Sequence, residues 1–175
     1  GEIWLNHQPI HELPSYRASQ LGIQLVPEDR RIIPGLTVEE NLKLAQIEEP
    51  HGWSIERAYE SFPRLAERRN QEAITMSGGE QQMLAVARAL VRDIKLLMLD
   101  EPYEGLAPVI REEIARIVID IRDLGITTII VEQDAMAVLQ YSDRAVILDS
   151  GEVAFSGSAA EVRDNKELRE QYLAV

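Results

Sequence analysis

Hydrophobic and polar positions fall into short blocks that predict a repeated strand–helix order. Apolar runs at 22–26, 95–99 and 127–131 predict strands, and the two later runs are continuous enough to predict burial on both faces. Between these strands, apolar residues recur at helical spacing over 80–92 and 110–124. Alternating strands and helices are typical of an α/β fold, in which helices cover a parallel sheet.

Cap and turn residues predict the remaining elements. Thr37, with Glu40 three residues later, forms a capping-box pattern that predicts a helix over 37–46. Helices are also predicted at 15–19, 55–62 and 135–141, with one or two short ones after 159, and residues 65–76 are predicted to be irregular. A strand at 2–5 precedes a turn at 6–9, and a β-hairpin turns at 149–151. Because no strand is predicted between 37 and 92, we expect a helical insert there.

Composition excludes several classes of function. The chain has 175 residues, 45% of them hydrophobic, which suits one domain with its own core. A net charge of −12 argues against a nucleic-acid partner and against electrostatic binding to anionic lipid. The absence of cysteine from the sequence excludes disulfides, thiolate catalysis and cysteine-ligated zinc.

Two carboxylates close the apolar run at 95–99. Asp100 and Glu101 are therefore expected at the carboxyl edge of the sheet, where open α/β folds bind ligands. One carboxylate could hold Mg²⁺, largely through water, and the next could serve as the general base for an attacking water. The alternative is a solvated strand end without chemistry.

A serine and two glycines precede the helix predicted at 80–92. The first amides of a helix are unpaired and carry positive partial charge, so Ser77, Gly78 and Gly79 could receive an anion such as phosphate. Glycine allows the anion to approach the backbone closely. The alternative is an N-cap serine with a flexible lead-in.

The two motifs together resemble a known family. "MSGGEQQMLAVARAL" followed by "LLMLDEP" resembles the signature motif and Walker B motif of the ATP-binding-cassette (ABC) ATPases. "VPEDRRIIPGLTVEENL", "DEPYEGLAP" and "VEQDAMAVLQYSDRAVILDSGEV" are similar to the branched-chain amino-acid importer subunits of the Liv type, and the urea importers share much of this pattern. The resemblance implies a P-loop NTPase fold with core segments at 1–36 and 93–158, a helical subdomain at 37–92 and C-terminal helices at 159–175.

The resemblance also implies roles for individual residues. Ser77, Gly78 and Gly79, completed by Glu80 and Gln81, are expected to contact the γ-phosphate of ATP held by the opposite subunit of a head-to-tail dimer, either a homodimer or a heterodimer. Asp100 is expected to organise Mg²⁺, and Glu101 to act as the base in phosphoryl transfer.

Three positions depart from the commonest pattern of the family. Glu28 lies where the Q-loop glutamine is usual, and we expect it to face Mg²⁺ with an added charge. Gln133 lies where the switch histidine is usual; its amide can donate a hydrogen bond but cannot titrate. In the D-loop, Gly105, Leu106 and Ala107 place alanine where aspartate is usual.

The phosphate-binding loop of the family is absent from the sequence. No glycine is followed by lysine, so G-x-x-x-x-G-K-[ST] does not occur, and we expect that the chain is truncated before Gly1. We therefore expect the chain alone to bind and hydrolyse little ATP. The competing hypothesis is a non-catalytic or degenerate ATPase that acts as an interaction module. The chromosome-maintenance branch, which shares the Ser-Gly-Gly motif, is disfavoured because coiled-coil heptads are lacking.

Partners and location follow from the same resemblance. The expected partners are a second ATPase subunit, transmembrane permease subunits and, indirectly, a solute-binding protein. Ile32, Ile33 and Leu36 are expected either to face the permease or to pack in the core. The expected location is the cytoplasmic face of the plasma membrane.

Overall fold

The computed structural model describes residues 1–46 and 53–173. Part of the predicted helical insert, at 47–52, and the last two residues of the tail therefore lie outside the described residues. The chain divides into two compact units, Gly1–Ile129 and Ile130–Val175, and each is considered by itself. The finer segmentation predicted from the sequence stays a prediction.

The first unit contains the predicted strands and helices in the predicted order. Its helices are α1 (Ser15–Gln20), α2 (Val38–Ala45), α3 (Ile55–Ser61), α4 (Pro63–Glu67), α5 (Gly78–Leu90) and α6 (Pro108–Asp123), with a 3-10 turn at Ala73–Thr75. Its strands are β1 (Trp4–Leu5), β2 (Gln8–Pro9), β3 (Ile23–Val26) and β4 (Leu96–Asp100), and β5 (Thr127–Val131) begins at its end.

A parallel sheet organises this unit, as predicted. β3 pairs with β4 in parallel, with Val26 opposite Leu99, and the strand order is β3-β4-β5. The prediction that both faces of the later strands are buried is wrong. Leu97 and Leu99 are buried on one face of β4, whereas in β5 Ile129 is 48% and Val131 56% exposed. Exposed and half-buried residues alternate along β5, so one face of this strand is open rather than packed.

Two local predictions are also corrected. The turn predicted at 6–9 is tighter, because Asn6 and His7 turn with positive φ and Gln8–Pro9 already pairs with β1. The chain predicted as irregular from 65 contains the end of α4 and the 3-10 turn. α4 begins at Pro63, whose fixed φ and missing N–H suit the first helical position.

The core of the first unit forms around α5. Met83, Leu84, Val86 and Ala87 are fully buried there, and the helix packs against α2 and β3. α6 buries the predicted isoleucine stripe, namely Ile110, Ile114, Ile117 and Ile121. Leu124, which was expected to continue that stripe, caps the helix and is 49% exposed. Gly125 follows at a φ of 79°, as a C-terminal glycine should.

The second unit is a hairpin with short helices. It contains α7 (Ala135–Leu139), β6 (Arg144–Asp149), β7 (Glu152–Ser158), α8 (Ala159–Asp164) and α9 (Lys166–Tyr172). The predicted turn is confirmed: Ser150 and Gly151 both have positive φ, which matches the twist that a two-residue hairpin turn requires. Leu139, Ile147, Ala159 and Val162 form its small core.

Candidate functional site

Ser77 is the N-cap of α5. Its backbone is extended, with φ of −61° and ψ of 156°, and its Oγ accepts the backbone N–H of Glu80 at 3.3 Å. In return, the Glu80 carboxylate accepts the backbone N–H of Ser77 at 3.0 Å and its hydroxyl at 2.8 Å. This reciprocal capping box is the structural role that the sequence offered as an alternative, and it leaves the amides of Gly78 and Gly79 without intrahelical acceptors.

The two glycines lie where neighbouring groups approach the helix closely. A Cβ on Gly79 would lie 3.0 Å from Cγ1 of Ile110 in α6, and a Cβ on Gly78 would lie 3.2 Å from a guanidinium nitrogen of Arg30. Any side chain at either position would therefore displace a neighbour. The helix start thus combines two available amides, the positive end of a 13-residue helix and a nearby arginine.

Glu80 and Gln81 hold the chain around this helix start. Arg68 Nε donates to Glu80 Oε1 at 2.6 Å, and Glu80 is only 5% exposed. Burial raises the pKa of Glu80, but the hydrogen bonds from Arg68 and Ser77 outweigh burial and leave that pKa below its usual value. Gln81 Nε2 donates to the carbonyls of Ile74 and Met76, each at 3.0 Å. Both side chains therefore bind within the chain.

The carboxyl end of β4 carries the second motif. Asp100 is the last residue of the strand, and Glu101 follows with a φ of 45°. That left-handed conformation is uncommon for a residue with a side chain and is found mainly where function or packing imposes it. The role of Glu101 as the base stays a prediction.

Glu104 is a site residue that the sequence reasoning missed. Its backbone N–H bonds the Glu101 carbonyl at 3.2 Å, which closes the turn after β4. The side-chain hydrogen bond with Glu101, followed by the negative charges of Glu28 and Glu101, raises the pKa of Glu104. Two predicted site residues, Glu28 and Glu101, therefore both act on the Glu104 carboxyl. The three-residue spacing of Glu101 and Glu104 was the available signal.

The carboxylates do not form a complete metal site. Within residues 1–46 and 53–173, no group of three or more His, Cys, Asp or Glu side chains could hold a metal ion. Asp100 and Glu28 nevertheless offer the oxygen ligands that Mg²⁺ prefers, and this ion usually keeps waters and binds phosphate oxygens. The residues therefore fit a metal that arrives with a nucleotide.

The D-loop residues lie in the first unit, and the switch position, Gln133, lies in the second unit. Gly105 turns with a φ of 64°, Leu106 is buried and its carbonyl accepts Arg111 Nε at 3.1 Å. Ala107 is the N-cap of α6, ahead of Pro108. Gln133 follows β5 in the second unit, where its carbonyl accepts the Ala135 N–H at 2.9 Å. Roles for Gln133 and the D-loop stay predictions.

The parallel sheet with helices between its strands is an α/β fold, and the two motifs lie at the start of α5 and at the carboxyl end of β4. A sequence profile described as "ABC transporter" matches residues 1–104, more than half of the chain. The chain therefore belongs to the ABC transporter family.

The relatives of this chain include ATP-binding proteins of branched-chain amino acid transport. The chain is 42% identical over 176 residues to a high-affinity branched-chain amino acid transport ATP-binding protein, BraG, of Pseudomonas aeruginosa, covering 99% of this chain and 76% of the relative. It is 39% identical over 179 residues to a probable branched-chain amino acid transport ATP-binding protein, LivF, of Archaeoglobus fulgidus, covering 100% and 76%.

A solved structure confirms the fold. The chain superposes on the dimeric structure of MJ0796, a bacterial ABC transporter cassette, with a TM-score of 0.76 at 24% identity, over 91% of this chain and 73% of the other. Among the described residues, none of the helices has both the length and the apolar character needed to cross a membrane.

Proposed function

We propose that this chain is part of the ATP-binding and ATP-hydrolysing subunit of an importer for branched-chain amino acids or similar small solutes. The observation that carries the proposal is the helix start at Ser77–Gly79 together with the strained carboxylate Glu101. The transport roles given in the names of the two relatives support the solute class.

Binding of ATP at the signature helix follows from its electrostatics. The amides of Gly78 and Gly79 point out of the positive end of α5, and neither glycine carries a Cβ that would keep a phosphate away. In this proposal the γ-phosphate comes from ATP bound to the opposite subunit of a head-to-tail dimer, since the helix start is one half of a site. The dimeric structure of MJ0796, which has the same fold, supports this arrangement.

Hydrolysis is assigned to the carboxylates at the end of β4. Glu101 accepts a proton from water as the water oxygen attacks the γ-phosphorus, and ADP leaves with its bridging oxygen. Mg²⁺, when bound with ATP, neutralises phosphate charge, and Asp100 and Glu28 are the residues that would hold it. The negative charges of Glu28 and Glu101 raise the pKa of Glu104, and a cation held at these carboxylates would relieve that repulsion.

In this proposal Gln133 provides a neutral amide at the position where the family usually has a histidine that can titrate. Its side chain can donate one hydrogen bond toward the γ-phosphate without gaining or losing a proton. We therefore propose that no step needs an imidazolium at this position. The turnover number should lack the inflection near pH 6.5 that an essential histidine would give.

A permease is proposed to dock beside α2 and to hold the protein at the cytoplasmic face of the membrane. Ile32, Ile33 and Leu36 are half-buried and thus partly available at the surface. The Asn41 side chain fixes this segment, since its Oδ1 accepts the Ile33 N–H at 3.2 Å and its Nδ2 donates to the Ile33 carbonyl at 3.3 Å.

The test is uptake by a reconstituted system. The full-length protein, with its permease subunits and solute-binding protein in proteoliposomes, should accumulate radiolabelled leucine or valine only with ATP and Mg²⁺. The Glu101→Gln variant is the matched control, because it keeps side-chain size and removes the base. ATP hydrolysis without uptake would refute the solute class, and a wild type without hydrolysis would favour the interaction module.

A further inference from the structure

The loop Pro27–Ile33, called here the 27–33 loop, contains strained residues next to Glu28. Arg30 has a φ of 59° and Arg31 a φ of 45°, so two consecutive non-glycine residues adopt left-handed conformations. Such conformations persist only where surrounding contacts impose them. The contacts that hold this loop should therefore be strong and specific.

The first contact joins the loop to the signature helix. Arg30 Nε donates to Gln82 Oε1 at 3.2 Å across 52 positions of sequence. Gln82 lies in the second turn of α5 and is 2% exposed. The same guanidinium lies beside Gly78, 3.2 Å from the position a Cβ would occupy. Arg30 therefore touches α5 at its N-terminus through two different residues.

The second contact runs in the opposite direction. Arg88, near the other end of α5, donates from Nη1 to the carbonyl of Arg31 at 2.6 Å. The Arg31 side chain takes no part in this bond; it is 72% exposed and pairs with Asp29 at 3.3 Å. Two arginines of the same chain, Arg30 in the loop and Arg88 in α5, thus hold the loop along the helix.

Two buried polar atoms at these contacts are not satisfied. Among the described residues, Gln82 Nε2 and Arg88 Nε are buried without a hydrogen-bond acceptor. A buried donor without a partner is unfavourable, so its retention needs a reason other than stability. A helix that changes its hydrogen-bond acceptors during the ATPase cycle supplies such a reason, because Gln82 Nε2 and Arg88 Nε would then find acceptors in another conformation of the protein.

We propose that Arg30 and Arg88 are positioning residues that set the Ser77–Gly79 helix start by fastening α5 to the 27–33 loop. The inference rests on the proposed function, in which Glu28 serves the ATP of its own subunit and the helix start serves the ATP of the partner. The arginine contacts then connect the two half-sites of one chain. They hold the 27–33 loop and the Ser77–Gly79 helix start to each other within one chain.

The experiment is a double-mutant cycle in the full-length protein. Arg30→Met and Gln82→Met each remove the Arg30–Gln82 hydrogen bond, and each should lower kcat about tenfold, the scale of one charge-assisted hydrogen bond. The double variant should be no slower than either single one, because both break the same contact. The Hill coefficient for ATP should fall toward one in all three variants.

Arg31→Met is the matched control. It removes an arginine from the adjacent left-handed position but keeps the carbonyl that Arg88 uses, so kcat and the Hill coefficient should stay at the wild-type values. Gln82→Met removes a buried unpaired donor, so its Tm should not fall below that of the wild type. A loss of kcat at unchanged Tm separates positioning from unfolding.

Hydrogen exchange decides the inference independently of ATP hydrolysis. Arg30→Met should increase amide exchange at residues 80–83 about tenfold, while Arg31→Met should not. Wild-type exchange and wild-type kcat in Arg30→Met, or additive losses in the double variant, would overturn the positioning role. A wild type that hydrolyses no ATP would refute the proposed function, and the exchange result would still test the contact.

Discussion

Replacement of Glu80 by alanine tests how firmly the signature helix start is built. The substitution removes three hydrogen bonds, two from Ser77 and one from Arg68, all between 2.6 and 3.0 Å. Loss of a helix cap costs about 1 kcal/mol, and a hydrogen bond to a charged group contributes about 1.5–3 kcal/mol. Because Glu80 is only 5% exposed, we expect a net loss of about 2–3 kcal/mol in the free energy of unfolding.

The chain offers a matched control for this substitution. Glu40 forms the same capping box with Thr37 at the start of α2, but its carboxylate is exposed. Glu40→Ala should therefore destabilise the full-length protein less than Glu80→Ala in urea unfolding followed by circular dichroism. Equal losses in the two variants would show that the Arg68–Glu80 ion pair adds nothing to the cap.

The same residue predicts a pH dependence with a defined sign. The folded state lowers the pKa of Glu80, so its ionised carboxylate stabilises the fold above the unfolded carboxyl pKa of about 4.3. That contribution falls as the pH drops through the lowered folded-state pKa. The stability difference between the wild type and Glu80→Gln should thus be constant above about pH 5 and shrink in more acidic buffer. A difference that grows on acidification would contradict this assignment.

Three further predictions concern catalysis and nucleotide binding. Glu101→Gln in the full-length protein should abolish ATP turnover while ATP-bound dimers persist in size-exclusion chromatography; wild-type kcat would exclude Glu101 as the base. Gly78→Asp should abolish hydrolysis, because the new carboxylate would lie beside Arg30 and repel phosphate. Retained activity would contradict the proposal that this helix start binds phosphate. The 175-residue chain alone should show no Mg²⁺-dependent ATP binding in isothermal titration calorimetry, because it lacks the lysine-bearing phosphate loop, and tight binding would refute that.

Local sequence rules were sufficient for most of the fold. The capping boxes at Thr37 and Ser77 and the turn at Ser150–Gly151 depend on a few adjacent residues, so their structures follow the sequence directly. Exposure of β5 was not predictable in this way, because burial depends on what covers a strand rather than on the strand's own residues.

The candidate site was predictable only in part. Ser77 and the Asp100–Glu101 pair were found because each motif is contiguous. The contact of Arg30 with Gln82 joins positions 52 residues apart, so no local pattern could reveal it. Glu104 was missed because its importance arises from a turn that returns it to Glu101.

The most direct measurement is a structure of the full-length Glu101→Gln protein crystallised with ATP and Mg²⁺. We predict a dimer in which the backbone nitrogens of Gly78 and Gly79 lie within about 3.2 Å of terminal phosphate oxygens contributed by the other subunit. A nucleotide-loaded assembly in which both nitrogens face solvent or protein, with every phosphate out of hydrogen-bond range, would contradict the account.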